Sequence, residues 1–222
     1  MNYSIPKHDP FDLLIFARKI ANQAHSEGIV TLNKTMMRAC QSHMGAIVAD
    51  SVLQAGVNYR AVVLPRINNI LTNFSEFDTL SKLLSIIDES MIGLFLQWKH
   101  ETKIERFKSV VLFLKDECIE SQIDLRECLL TEKFRNNFQK INGVGPKTID
   151  YMSCLIGLNS IAVDRHIRSF AVRAGVKTKD YDFLKNVFCY AADLLKISRR
   201  DFDSWVWQQE SERFSAQLPL AI

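Results

Sequence analysis

Glycine and proline are scarce in this sequence, and that scarcity limits the folds that the chain can adopt. The chain has 8 Gly and 5 Pro among 222 residues, which is roughly half of the usual proportion. A fold of many short strands and tight turns would need more of both residues. Apolar residues instead recur every three or four positions, as at Ile104, Phe107 and Val111, and no stretch alternates as a strand would. The sequence therefore predicts an all-α fold of about ten helices.

Two helices have boundaries that can be read from the sequence. Asp9 as N-cap and Pro10 at the first helical position predict a helix that ends near Gly28. Apolar residues at helical spacing predict a second helix from about Leu32 to Gln54.

The composition excludes several classes of protein. Hydrophobic residues make up 47% and charged residues 24% of the chain, which are ordinary values for a globular protein and not for a disordered or membrane-spanning one. The polar N-terminus lacks the apolar core of a secretion signal. No two of the five cysteines have the spacing of a zinc site, and the odd count argues against a disulfide framework. These features predict a cytoplasmic (nucleoid-associated) or nuclear protein.

Positive charge is concentrated in one part of the chain. Residues 131–179 contain nine Lys or Arg and three Asp or Glu, a local net charge of +6, although the whole chain has only +3. Such a segment suits a polyanion such as nucleic acid, and a solvated basic surface is the alternative.

The most informative motif is I-N-G-V-G-P-K-T at 141–148. Two glycines around Val144 predict a tight turn with exposed N–H groups, and Pro146 fits the start of a helix. Unpaired N–H groups at a helix N-terminus bind anions. At Gly145 we also expect little room for a side chain. Lys147 follows in the first turn, where the helix dipole disfavours its charge. Its amine is therefore either a nucleophile or a phosphate-binding cation.

An aspartate stands 17 positions after Lys147, in the run I-A-V-D-R-H-I-R at 161–168. Asp164 follows three apolar residues and precedes a helical pattern, which predicts a helix N-cap. An acid–base role beside Lys147 is the alternative interpretation.

With these motifs in this order, residues 141–176 resemble the helix-hairpin-helix DNA glycosylases of the endonuclease III superfamily. The resemblance implies a single all-α region over 1–222, built of two helical lobes with the active cleft between them. It also implies a helix-hairpin-helix motif at 134–157. Lys147 falls where bifunctional members of the family have their nucleophilic lysine, which implies the bifunctional branch. Only Cys189 follows Asp164, which implies that the iron–sulfur cluster of other members is absent.

The resemblance also implies roles for individual residues. Lys147 would be the nucleophile and Asp164 the catalytic carboxylate, and His166 would contact a phosphate. The hairpin residues expected to bind DNA are Gly143, Val144, Gly145 and Thr148, with the N–H groups of the two glycines and of Thr148 as phosphate donors. Backbone carbonyls of Gln139, Ile141 and Val144 would hold a structural monovalent cation.

The function implied by the resemblance is base excision. A monomeric DNA glycosylase with AP lyase activity would act on double-stranded DNA that carries a damaged, oxidised base or an abasic site, with no required cofactor. Two alternatives remain open: a monofunctional glycosylase that uses water, and a non-catalytic hairpin protein that binds DNA. Tyr151, Trp205 and Trp207 are candidates for stacking on an extruded base.

Overall fold

The computed structural model describes residues 9–29, 42–88 and 91–216, and within these ranges it contains no β-strand. The all-α prediction is confirmed. The described helices are α1 Pro10–Ser26, α2 Met44–Leu53, a π-helical segment Tyr59–Val63, α3 Leu64–Asn73, α4 Leu80–Asp88, α5 Ile92–Leu96, α6 Glu101–Asp116, α7 Gln122–Leu129, α8 Glu132–Phe138, α9 Pro146–Leu155, α10 Arg165–Arg173, α11 Tyr181–Leu195 and α12 Arg199–Ala216.

The first predicted helix is confirmed and the second is wrong at its start. Asp9 caps α1, with its Oδ1 accepting a hydrogen bond from the Phe11 N–H at 2.9 Å. Helix α2 begins at Met44, not at Leu32, because His43 has extended backbone and its Nδ1 accepts from the Ala46 N–H at 3.1 Å. Residues 32–41 of the predicted helix lie outside the described residues.

The chain divides into two compact units. Unit 1 combines residues 1–36 with residues 159–222, and unit 2 comprises residues 37–158. In unit 1, α1 packs on α11 and α10 packs on α12. The core of this unit contains Phe170, Phe188 and Phe202, all fully buried. The expected cleft between two lobes stays a prediction.

Ion pairs connect the two distant chain segments that form unit 1. The Arg173 guanidinium on α10 lies 2.5 Å from Glu27 Oε1, just after α1, and 2.5 Å from Glu210 Oε1 on α12. Burial of Glu27 opposes its ionisation, but hydrogen bonds from Arg173 and Gln23 outweigh burial and hold its pKa below the ordinary value. The ionised carboxylate therefore stabilises this unit.

Helix α2 is the centre of unit 2. All ten of its residues are buried, and it packs against α3, α4, α6 and α9. Phe95 meets the rings of Phe74, Phe77 and Phe107 beside it, with centroids 5.2 to 6.0 Å apart. Helix α9, which carries Lys147, packs directly against α2.

Candidate functional site

The predicted tight turn lies between α8 and α9. Gly143 has φ +83°, a left-handed conformation that favours glycine, and a Cβ at this position would collide with the Arg106 guanidinium. Val144 is buried, and its N–H donates to the Ile141 carbonyl at 3.0 Å. The buried Val144 side chain and this hydrogen bond therefore both help to anchor the turn.

Two of the three N–H groups predicted to bind a phosphate are available. Within the part of the chain that the structure describes, the N–H groups of Gly143 and Gly145 have no hydrogen-bond partner. The Thr148 N–H donates to the Gly145 carbonyl at 3.0 Å, so the helix itself uses it. Thr148 is also buried, and its expected phosphate contact does not fit this geometry.

The expectation of little room at Gly145 is wrong. Its backbone is extended, with φ −109° and ψ −179°, and nothing lies within 4 Å of a Cβ built there. The close approach falls on Gly143 instead. The cation site expected at the carbonyls of Gln139, Ile141 and Val144 stays a prediction; the Ile141 carbonyl already accepts one hydrogen bond and retains a second lone pair.

Lys147, the second residue of α9, reaches the C-terminal end of α2. Its Nζ donates to Gln54 Oε1 at 2.5 Å, and Gln54 is the C-cap of α2. The other amide atom, Gln54 Nε2, is buried and has no hydrogen-bond partner in the described residues. A neutral amide oxygen thus orients the Lys147 amine.

One turn earlier on α2, a buried carboxylate binds two phenols. Asp50 accepts hydrogen bonds from the hydroxyls of Tyr59 at 3.0 Å and Tyr151 at 2.8 Å. Asp50 is only 1% exposed. Tyr151, a candidate for base stacking, is therefore held in the interior of unit 2 by its hydroxyl group.

Two cations of α6 contact the hairpin and the C-terminal end of α2, respectively. The Arg106 Nε donates to the Asn142 carbonyl at 3.0 Å. Lys103 Nζ donates to the carbonyls of Leu53 at 2.5 Å and Ala55 at 2.8 Å and lies 4.7 Å from the centre of a Trp98 ring. Burial, together with the charges of Arg106 and Lys147, lowers the pKa of Lys103 to about 8. The electrostatic potential around Lys103 is therefore positive.

Asp164 is the N-cap of α10, as the sequence predicts. Its Oδ1 accepts from the N–H groups of His166 at 2.8 Å and Ile167 at 3.0 Å, and its Oδ2 lies 2.7 Å from His166 Nδ1. The carboxylate therefore has a fixed position at the start of a helix. The catalytic roles of Asp164 and Lys147 stay predictions.

His166 is buried, which does not fit the expected phosphate contact. Its Nδ1 faces Asp164, and its Nε2 lies 3.5 Å from the Ser211 hydroxyl on α12. The ring also packs near Trp207 and Phe214, with centroids 5.9 and 5.5 Å away. An imidazole in these surroundings supports the Asp164 carboxylate and presents no nitrogen to a ligand outside the unit.

Trp205 and Trp207 lie two residues apart on α12 and differ in burial. Trp205 is buried against Phe170 and Phe202 in the core of unit 1, which excludes it as a base-stacking residue in this arrangement. Trp207 is partly exposed beside His166. Its stacking role stays a prediction.

Internal ion pairs neutralise part of the basic segment 131–179. Arg135 lies 2.6 Å from the buried Asp150, and Arg173 pairs with Glu27 and Glu210. The net charge of +6 already includes Asp150, but Glu27 and Glu210 lie outside the segment, so the pairing of Arg173 leaves less positive charge than +6 for a polyanion.

Neither a metal cluster nor a membrane span appears in the described residues. They contain no group of three or more His, Cys, Asp or Glu side chains that could hold a metal ion. They also contain no helix long and apolar enough to cross a membrane.

Sequence reasoning missed three residues of the candidate site. Gln54, Asp50 and Arg106 contact Lys147, Tyr151 and the hairpin, respectively, from distant parts of the chain. The only available signal was the i, i+3 spacing of Lys103 and Arg106, which puts both on one face of α6.

Comparison with solved structures identifies a similar fold. The crystal structure of H. pylori 3-methyladenine DNA glycosylase (MagIII) bound to 1,N6-ethenoadenine has 17% sequence identity to this chain and superposes with a TM-score of 0.62. The match covers 92% of this chain and 99% of the other. Neither the protein-family models nor the curated protein sequences match. The chain therefore shares the all-helical fold of a DNA glycosylase.

Proposed function

We propose that this protein is a DNA N-glycosylase of base excision repair that acts on double-stranded DNA. The observation that carries the proposal is the turn before α9, with unpaired N–H groups of Gly143 and Gly145 at a helix N-terminus, in a chain with a glycosylase fold. The hairpin binds a backbone phosphate. The damaged nucleotide leaves the base stack before its glycosidic bond is attacked.

Asp164 stabilises the positive charge that develops on the sugar as the base departs. The three donors around its carboxylate support this role because they hold both oxygen atoms in place. The leaving base takes up a proton, and the nucleophile forms the new bond to C1′. DNA as substrate is also compatible with the expected cytoplasmic or nuclear compartment and the expected monomer.

Lys147 supplies that nucleophile in the bifunctional form of the proposal. The Nζ–C1′ bond forms as the C1′–N bond to the base breaks, and opening of the sugar ring gives an imine. Loss of a 2′ proton then expels the 3′ phosphate and cuts the strand. The Gln54 amide supports this role because it orients the Lys147 amine through a neutral oxygen.

A second candidate function is favoured by the structural comparison. The similar structure is named a 3-methyladenine DNA glycosylase and contains an ethenoadenine, so an alkylated purine is a substrate to test beside the expected oxidised base. In this form water attacks C1′ and Lys147 only contacts DNA.

Borohydride trapping distinguishes the two forms. The substrates are duplexes with an oxidised base, an alkylated base or an abasic site, and both base release and strand cutting are measured. Borohydride reduces an imine to a stable amine, so the bifunctional form gives a covalent protein–DNA adduct. Lys147→Gln removes the adduct, whereas the control Lys140→Gln, a change at another hairpin lysine, keeps it.

Each outcome selects one function. Base release without an adduct establishes the water-using form. Duplex binding without base release from any lesion overturns the glycosylase proposal and leaves the non-catalytic DNA-binding protein.

A further inference from the structure

Three cations of unit 2 form what we call the hairpin cation cluster: Lys103, Arg106 and Lys147. Their charges act on one another, since Arg106 and Lys147 both lower the pKa of Lys103. Bringing like charges together costs free energy in a folded protein. Local packing alone does not explain why the fold brings these three positive charges together.

No carboxylate in the described residues pairs with Lys103 or Arg106. Their only partners there are backbone carbonyls and, for Lys103, the face of Trp98. Arg135 and Arg173 of the same chain show the contrast, because each has a buried carboxylate partner. In the described residues, the positive charges of Lys103 and Arg106 are therefore left for a ligand.

The geometry of Arg106 prepares it to bind an anion. Its Nε donates to the Asn142 carbonyl, and its guanidinium lies against Gly143, so two contacts hold the side chain on the hairpin. No other partner of Arg106 lies in the part of the chain that the structure describes, which leaves its Nη groups as donors. A planar guanidinium with two free donor groups matches the oxygens of a phosphodiester.

We propose that Arg106 binds a backbone phosphate of duplex DNA, as a contact separate from the hairpin N–H groups. The inference rests on the proposed function, because DNA is the ligand that the hairpin would present to Arg106. Lys103 adds positive potential to the same surface. No motif in the sequence assigns Arg106 this role.

The test is the salt dependence of binding to an undamaged duplex. The logarithm of the association constant falls with the logarithm of salt concentration by about 0.9 per phosphate contact. Arg106→Gln is expected to reduce this slope by about 1 and to weaken binding about tenfold near 0.1 M salt. The control Lys108→Gln removes the same charge from another face of α6 and is expected to leave the slope unchanged.

A charge-preserving variant separates binding from folding. Arg106→Lys keeps the charge but loses the two-donor geometry, so we expect it to keep the slope and lose part of the affinity. The melting temperature of each variant shows whether the hairpin is intact.

The outcomes also separate this inference from the proposed function. An unchanged slope in Arg106→Gln, or equal losses in Arg106→Gln and Lys108→Gln, overturns the phosphate contact although the wild type binds DNA. Wild-type protein without salt-dependent duplex binding overturns both. Normal binding without base release overturns the glycosylase alone.

Discussion

The Asp164 carboxylate caps α10, and in the proposed function it also stabilises a positive charge on the sugar; substitution can separate these two roles. It caps α10 through hydrogen bonds with two backbone N–H groups, and it contacts the ring of buried His166. An N-cap needs an oxygen acceptor but not a negative charge, since Asn caps about as well as Asp. Stabilising a positive sugar needs the charge itself.

Asp164→Asn is therefore expected to keep stability and lose activity. We expect the free energy of unfolding to change by less than about 0.5 kcal/mol, whereas Asp164→Ala costs about 1 kcal/mol through loss of the cap. Base release falls about 100-fold or more in both variants. Calorimetry and single-turnover base release measure the two effects. Activity that follows stability across the pair would reduce Asp164 to a structural cap.

Local signals in the sequence predicted the helix caps at Asp9 and Asp164, but they missed the cap at His43 and the contact between Gln54 and Lys147. Aspartate is a preferred N-cap residue, so the helix boundaries at Asp9 and Asp164 follow from a few neighbouring residues. The cap at His43 was missed because histidine rarely signals a helix start and apolar residues surround it. Gln54 approaches Lys147 across 93 positions, and no local pattern reports such a contact.

At the scale of the elements, the hairpin combines a local turn with a distant support. The turn follows from the two glycines and Pro146, and sequence alone predicts it. The support is Arg106 from α6, which donates to the hairpin across 36 positions. This support explains why the two glycines are not equivalent, although the motif shows them as a symmetric pair.

Alanine substitutions should reveal that difference. Gly143→Ala forces an L-residue into φ +83° and pushes a methyl group against Arg106, so we expect a loss of about 1 to 3 kcal/mol. Gly145→Ala has ordinary backbone and open space, and we expect a change below about 0.5 kcal/mol. Urea unfolding measures both. Equal losses would show that the turn differs from the one described.

At the scale of the whole molecule, unit 1 joins the beginning of the described chain to its end. Glu27 follows α1, and Arg173 and Arg213 approach it from α10 and α12. The folded-state pKa of Glu27 lies below its ordinary value of 4.5. A depressed carboxyl pKa contributes stability that is present above about pH 4.5 and is lost as the pH falls through the folded-state pKa.

Glu27→Gln is expected to destabilise unit 1 in a pH-dependent way. At pH 7 the amide cannot form the ion pairs with Arg173 and Arg213, and we expect a loss of about 2 kcal/mol. Below about pH 4.5 the unfolded wild type takes up a proton that folded Glu27 resists, so the difference between the two proteins narrows as the pH falls towards the folded-state pKa. Amide hydrogen exchange of α1 and α12 measures the stability of this unit by itself.

The control Glu212→Gln removes an exposed carboxylate of α12 that bonds only to Gln208 in the described residues. We expect it to change the free energy of unfolding by less than about 0.5 kcal/mol at either pH. A Glu27→Gln difference that is the same at pH 7 and pH 3.5 would mean that shape, and not charge, holds the two ends of unit 1 together.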